Sequence, residues 1–200
     1  MNGETGSVKF TCEQIAAEIS RFKDFDELNS YRRALVDLGM IGVDANGIGF
    51  GNVSVRDGAS SEFYITGSAT GALAELSPAD CAKVVAYDFA KNCLRYKGTT
   101  VASSESLTHA AVYEWDSTAG AVIHCHDMQL WSALLNQVAR TPEEIEYGTP
   151  AMAYSVRRLF ELTDVRTKKI FVMAGHEGGI VTFGENLEQA FGILQMKTRN

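Results

Sequence analysis

The sequence predicts an α/β fold, a mixed sheet covered by helices, and three observations carry that expectation. Helical periodicity sits at the two ends of the chain, whereas short segments rich in β-branched and aromatic residues crowd its middle. A length of 200 residues suits one shared core better than two. Strands and helices do not alternate regularly from end to end, so an all-parallel sheet is not expected.

Taken in order, residues 1–10 are polar and read as a flexible tail ahead of a single domain over 11–200. Thr11 is expected to open a helix, with Thr11 and Gln14 in a capping-box pattern and Ile15, Ile19 and Phe22 as its buried stripe. A second helix spans 26–38 and stops at Gly39. Strands follow over 53–56, 63–66, 84–89 and 93–96. Ser77-Pro78 marks a helix start, and Ala90-Lys91-Asn92 a hairpin turn. Beyond Ser103, a helix carries Leu107, Ala110 and Ala111, a strand covers 121–126, and another helix carries Trp131, Leu134, Leu135 and Val138. Thr149-Pro150 opens a helix through Phe160. Strands at 169–174 and 180–183 precede a last helix, capped by Asn186 and running through Leu194.

Composition excludes several function classes. A net charge of -7 without a basic cluster argues against nucleic-acid binding, although loop N–H groups can still hold a small anion. Cys12, Cys81, Cys93 and Cys125 form no C-x-x-C pair and read as reduced thiols. The start of the chain lacks the apolar run of a signal peptide, and no stretch approaches the roughly 18 apolar residues of a membrane span. The expectation is a cytoplasmic protein whose partner is a small molecule, with no role on a membrane.

The sharpest chemical signal is Ala121-Val122-Ile123-His124-Cys125-His126. In a strand, residues two apart face the same side, so His124 and His126 project together and Cys125 points away. A catalytic zinc site commonly has three protein ligands and an open position. His176, flanked by glycines in Ala174-Gly175-His176-Glu177-Gly178-Gly179, is the natural third. A lone histidine is more often a satisfied core or surface residue; a strand His-x-His with a third histidine favours metal. Other His-x-His chemistries fit less well. A metallo-hydrolase wants Asp then His where Met128-Gln129 stand, and a cupin wants a glutamate absent from 127–131.

Ser103-Ser104-Glu105 precedes a helix that also carries His109. Two hydroxyls and the free N–H groups of a helix start form an anion site, and a carboxylate beside a metal can shuttle protons. Alone, the motif is usually just capping. His109, one turn further on, reads as packing or supporting the site. The turns Gly49-Phe50-Gly51-Asn52-Val53-Ser54 and Thr66-Gly67-Ser68-Ala69-Thr70-Gly71 could each cradle a phosphate or be ordinary turns.

In this order the motifs resemble the class II aldolase/adducin family, which includes fuculose-phosphate and rhamnulose-phosphate aldolases, ribulose-phosphate 4-epimerase and methylthioribulose-phosphate dehydratase. The landmarks are Gly51-Asn52-Val53-Ser54-Val55-Arg56, Thr66-Gly67, Ser103-Ser104-Glu105, the His124–His126 strand, and His176 followed by Gly184 and the helix beginning at Leu187. The resemblance implies a three-layer α/β/α sandwich around a mixed, largely antiparallel sheet. It implies that His124, His126 and His176 bind Zn2+, or Mn2+, Co2+ or Fe2+, and that Glu105 is the acid–base group. Asn52, Thr66, Gly67, Ser103 and Ser104 would hold the phosphate of a small ketose phosphate. The implied reaction is retro-aldol cleavage through a metal-stabilised enediolate; epimerisation, dehydration or a non-catalytic adducin-head-like module are the alternatives. The implied assembly is a homotetramer with sites between subunits. The chain departs from the family at Ala102, commonly proline, and at Gly175-His176-Glu177, commonly Asn-His-Gly. It departs also in that no tyrosine follows Tyr154, where some aldolases use a C-terminal tyrosine to complete a neighbour's site. Because the family's sites lie between subunits and little chain follows Gly184 to close over the metal, a neighbouring subunit is expected to wall the pocket.

Overall fold

The computed structural model describes residues 11–198, so the tail expected over 1–10 lies outside the described residues. The chain opens with strand β1 (Thr11–Ile15) and helix α1 (Phe25–Asp37). A two-residue ladder follows, β2 (Gly42–Val43) with β3 (Gly49–Phe50), then strands β4 (Asn52–Arg56) and β5 (Phe63–Thr66). Strands β6 (Cys81–Asp88) and β7 (Cys93–Lys97) precede helix α2 (Ser106–Trp115), strand β8 (Ala121–His126) and helix α3 (Met128–Leu134). The last part holds β9 (Ala139–Thr141), α4 (Pro150–Leu162), α5 (Val165–Lys168), β10 (Ile170–Met173), β11 (Gly179–Gly184) and α6 (Leu187–Thr198).

Nine strands form one sheet in the order β1-β7-β6-β5-β4-β8-β11-β10-β9. Only its two edge pairs, β1 with β7 and β9 with β10, are parallel. The six inner pairings are antiparallel; β4–β5, β6–β7 and β10–β11 are joined by short connections, whereas β8 is brought between β4 and β11 by long ones. Because side chains alternate along a strand, β8 feeds both faces. Val122 joins a core with Ala110 and Val112 of α2 and Val156 of α4, whereas Ala121, Ile123 and Cys125 join one with Leu28 of α1 and Leu194 of α6. Two apolar layers therefore sandwich the sheet, each fully buried aliphatic or aromatic side chain contributing about 1.5–3 kcal/mol. The expected three-layer α/β/α fold with a mixed, largely antiparallel sheet is what the chain adopts.

Three local expectations are corrected. Residues 11–15 form a strand, not a helix start: their backbone pairs with the outer edge of β7, Thr11 opposite Cys93, and Gln14 donates its amide to the Gly98 carbonyl. The supposed apolar stripe does not form: Ile15 stays 36% exposed, and Phe22 packs from outside any helix by stacking on Tyr64. A capping-box spacing is common in polar sequence, and the edge ladder outcompetes it. Ser77-Pro78 opens only one 3-10 turn (Pro78–Asp80), because Cys81 is already committed to β6. The helix bearing Trp131 ends at Leu134, short of Val138, because Ala139 begins the edge strand β9. Elsewhere α1 closes on Gly39 in the left-handed region (φ 70°), and Asn186 caps α6 by accepting from Gln189 N–H at 2.9 Å.

Candidate active site

β8 places the first two histidines. His124 pairs with Asn52 of β4 on one side and Val181 of β11 on the other, at the centre of the sheet, and is 1% exposed. His126 ends the same strand on the same face, with Cys125 fully buried in the opposite core. The third comes from the turn joining β10 to β11. Gly178 adopts φ +79°, and a Cβ at Gly179 would stand 2.8 Å from the His176 carbonyl oxygen and 2.9 Å from its ring. Only glycine permits this return, which swings the His176 ring back over the sheet.

The three rings converge. Their centroids lie 4.9 Å (His124–His126), 5.4 Å (His124–His176) and 4.6 Å (His126–His176) apart. One nitrogen from each falls within 4.8 Å of the others, and Nε2 of His124 and Nε2 of His126 are 3.2 Å apart. Two Zn–N bonds of about 2.0–2.1 Å at a tetrahedral angle separate their nitrogens by roughly 3.3 Å, so the spacing is one an ion can bridge. Burial holds His124 well below the usual imidazole range, helped by its His126, His176 and His109 neighbours, and burial brings His126 down to about 4. Both imidazoles are thus neutral at pH 7 and offer lone pairs without first losing a proton.

Glu105 stands at the N-terminus of α2 and is 2% exposed. Thr108, one turn on, donates its hydroxyl to Glu105 Oε2 at 2.6 Å, and the N–H of Glu105 reaches Ser103 Oγ at 3.3 Å. The helix start favours the carboxylate's charge. His109, on the same face of α2, is fully buried. Its Nδ1 lies 2.7 Å from Ser54 Oγ, which is itself 2.7 Å from the Tyr113 hydroxyl. Burial brings His109 down to about 3, so this ring too is neutral.

A cavity of about 260 Å³ joins these groups, lined by His124, His126, His176, Glu105, Ser103, Ser104 and Asn52 and by the whole turn from Gly67 to Gly71. Eight of the nine residues singled out from sequence therefore line one cavity. Thr66 is the exception: it lies below the turn, 1% exposed, its hydroxyl accepting the Val53 N–H at 3.2 Å. Two residues that sequence reasoning missed also line the cavity. Tyr147 packs against the His176 ring at 4.4 Å between centroids, and Phe50 stands 5.5 Å from His126. Tyr147 belongs to the irregular stretch between β9 and α4, where no periodicity announces a side chain's direction. Phe50 sat inside a glycine-rich motif already noted, where an aromatic among glycines was the usable signal.

A family model described as the class II aldolase and adducin N-terminal domain matches residues 40–197. No curated protein sequence matches the chain. Among solved structures, an L-fuculose 1-phosphate aldolase superposes with a TM-score of 0.66 at 20% identity, over 92% of this chain and 84% of that one. YgbL of Klebsiella pneumoniae, an aldolase/epimerase/decarboxylase candidate, gives 0.63 at 19% identity, over 87% and 86%. A sugar-phosphate aldolase of Thermotoga maritima gives 0.63 at 14% identity, over 88% and 90%. At these identities the likeness is one of fold.

Proposed function

Because the chain belongs to the class II aldolase and adducin N-terminal domain family, we propose that it is a divalent-metal-dependent lyase that cleaves a small ketose phosphate, or a related hydroxy-carbonyl compound, by retro-aldol chemistry. The observation that carries this reading is a junction. Three converging imidazoles, one buried carboxylate and a glycine-rich turn face each other across one cavity.

The donor set, three nitrogens and no thiolate, suits Zn2+ first and Mn2+, Co2+ or Fe2+ after it. His124, His126 and His176 would hold such an ion, which would supply Lewis acidity toward the oxygens of a hydroxy-carbonyl substrate. Asn52, Ser103 and Ser104 bind the phosphate from the wall facing the histidines; Gly67, whose own N–H is held by the Asp80 carbonyl, shapes that wall without donating to it, and Thr66 braces it by accepting the Val53 N–H. Glu105 moves a proton to or from the carbon freed by cleavage, its carboxylate oriented by the Thr108 hydroxyl. The same residues serve epimerisation by cleavage and re-addition, or dehydration by proton loss next to the carbonyl. The free thiols Cys81, Cys93 and Cys125 accord with a place in the cytoplasm.

A non-catalytic interaction module fits less well. A scaffold gains nothing from a carboxylate kept 2% exposed beside three convergent imidazoles. Metal analysis of the purified protein, with an aldehyde-release screen over ketose phosphates, tests the reading. About one divalent ion per chain and cleavage of at least one substrate are expected. Protein that folds normally, holds no ion and cleaves nothing would overturn it.

A further inference from the structure

α1 carries a cation where its apolar stripe should continue. Arg32 falls between Leu28 and Leu35 on the buried face of the helix and is 1% exposed. Its guanidinium donates from Nη1 to the Leu73 carbonyl and from Nη2 to the Thr70 carbonyl, both at 2.6 Å. Among the described residues no carboxylate comes within ion-pair distance of it. Asp80, one of the acidic groups that bear on it, turns its carboxylate to the Ser77 N–H and hydroxyl instead. A guanidinium does not give up its proton in a protein, so a full positive charge is buried on two carbonyl acceptors, with Asp80 acting on it only from beyond ion-pair distance. Such an arrangement is costly unless something else balances the charge.

The Thr70 carbonyl belongs to the turn that lines the cavity, and the Leu73 carbonyl lies just beyond it. Gly67 N–H is taken by the Asp80 carbonyl and Ser68 N–H by that of Val101. The N–H groups of Ala69, Thr70 and Gly71 donate to no protein acceptor among the described residues, and all three residues stand in the cavity wall. Ala69 holds φ +60°, a left-handed conformation that successive N–H groups use to form an anion-binding concavity. Thr70 cannot turn its carbonyl toward the cavity while Arg32 holds it from behind. Asn29, three residues earlier on α1, grips the end of the same segment through both the N–H and the carbonyl of Leu76.

We propose that Arg32 is the positioning residue of the anion-binding turn: it locks the carbonyls of Thr70 and Leu73 away from the cavity, and its unmatched charge is balanced when a phosphate occupies the turn's open side. The inference rests on reading this cavity as a phosphate site, and it adds a residue that touches neither phosphate nor metal. Arg32 does not line the cavity, so its effect is relayed through the turn. A lysine at this place keeps the charge but presents a point donor, unable to span two carbonyls.

Inorganic phosphate titrated calorimetrically into the as-purified wild type, Arg32→Lys and Arg32→Met proteins separates the possibilities. Metal content and circular dichroism are measured on each. Metal per chain should be the same in all three, since the histidines lie on other elements. The phosphate Kd should rise about tenfold or more in Arg32→Met, and by about threefold to tenfold in Arg32→Lys. A folded Arg32→Met protein whose Kd stays within about twofold of wild type overturns the inference while leaving the phosphate site standing. Should Arg32→Met not fold, Arg32→Lys decides in the same way. Wild type that binds no phosphate overturns the site reading itself, and the role of Arg32 with it.

Discussion

In the proposed reaction, Glu105 is where the chemistry narrows to a single proton. Its carboxylate is buried, fixed by Thr108 and seated at a helix start, so its geometry is set before any substrate arrives. Glu105→Gln preserves shape and the Thr108 contact but cannot exchange a proton, so kcat should fall by roughly 10²-fold or more while phosphate affinity holds. Steady-state kinetics beside phosphate titration checks this, and near-normal turnover would move the proton to another group. For the metal, His124→Ala removes the central donor and should strip most of the bound ion, read by metal analysis; unchanged metal content would break the assignment. These residues were legible in the sequence because strand alternation alone aims His124 and His126 together. Tyr147 was not, since it reaches the site from an irregular stretch. Arg32 left a usable trace, a charge inside an apolar helical stripe, but its carbonyl partners lie 38 and 41 residues away and only folding reveals them.

The elements that make the site are strands held by their neighbours and one turn held by glycine. β4, β5, β7, β8 and β11 were expected within about a residue or two of where they lie, because their cores alternate or run apolar on two buried faces. β1 and β9 were not: each is a short edge strand whose pairing is set by a partner far away in the chain. The return from β10 to β11 yields the sharpest element-scale test. In Gly179→Ala the added methyl would stand 2.8 Å from the His176 carbonyl oxygen and 2.9 Å from its ring, so the third donor must shift, while the His124 ring at 3.4 Å can stay in place. The β11 ladder should survive, with a modest loss of thermal stability, while metal affinity falls by about 10–100-fold. Competition with a chelator measures it. Affinity equal to wild type would mean that the turn is not what sets the His176 ring.

At the scale of the molecule, burying neutral histidines ties stability to acid. An unfolded imidazole titrates near 6.5, whereas His109 is held to about 3 and His126 to about 4, both by burial. Above pH 6.5 neither state is protonated and full stability is present. As pH falls below 6.5 the unfolded chain gains protons that the folded one refuses. Each histidine then costs about 1.4 kcal/mol per pH unit until its folded value is reached. Denaturant melts of metal-free protein should weaken steadily from pH 6.5 to 4, and a flat profile would contradict the burial of these rings in the ion-free fold.

Assembly is the remaining question at this scale. Ile48 lines the cavity and is 41% exposed, and Leu73, just beyond the anion turn, is 40% exposed. Leu38 and Val43 add exposures of 57% and 43% on the segment leading to that rim. Apolar side chains around a polar cavity are poor solvent-facing residues and good contact residues. We propose that a second copy of the chain covers this rim, in a closed homotetramer whose neighbour supplies the missing wall. Sedimentation velocity at micromolar concentration should then give a tetramer. Ile48→Glu, which puts charge on the rim without touching a proposed metal donor, should shift it toward smaller species and lower activity together. Metal per chain should not change. A wild-type monomer with full activity would show that one chain closes its own site. A tetramer indifferent to Ile48→Glu would place the contact on another face.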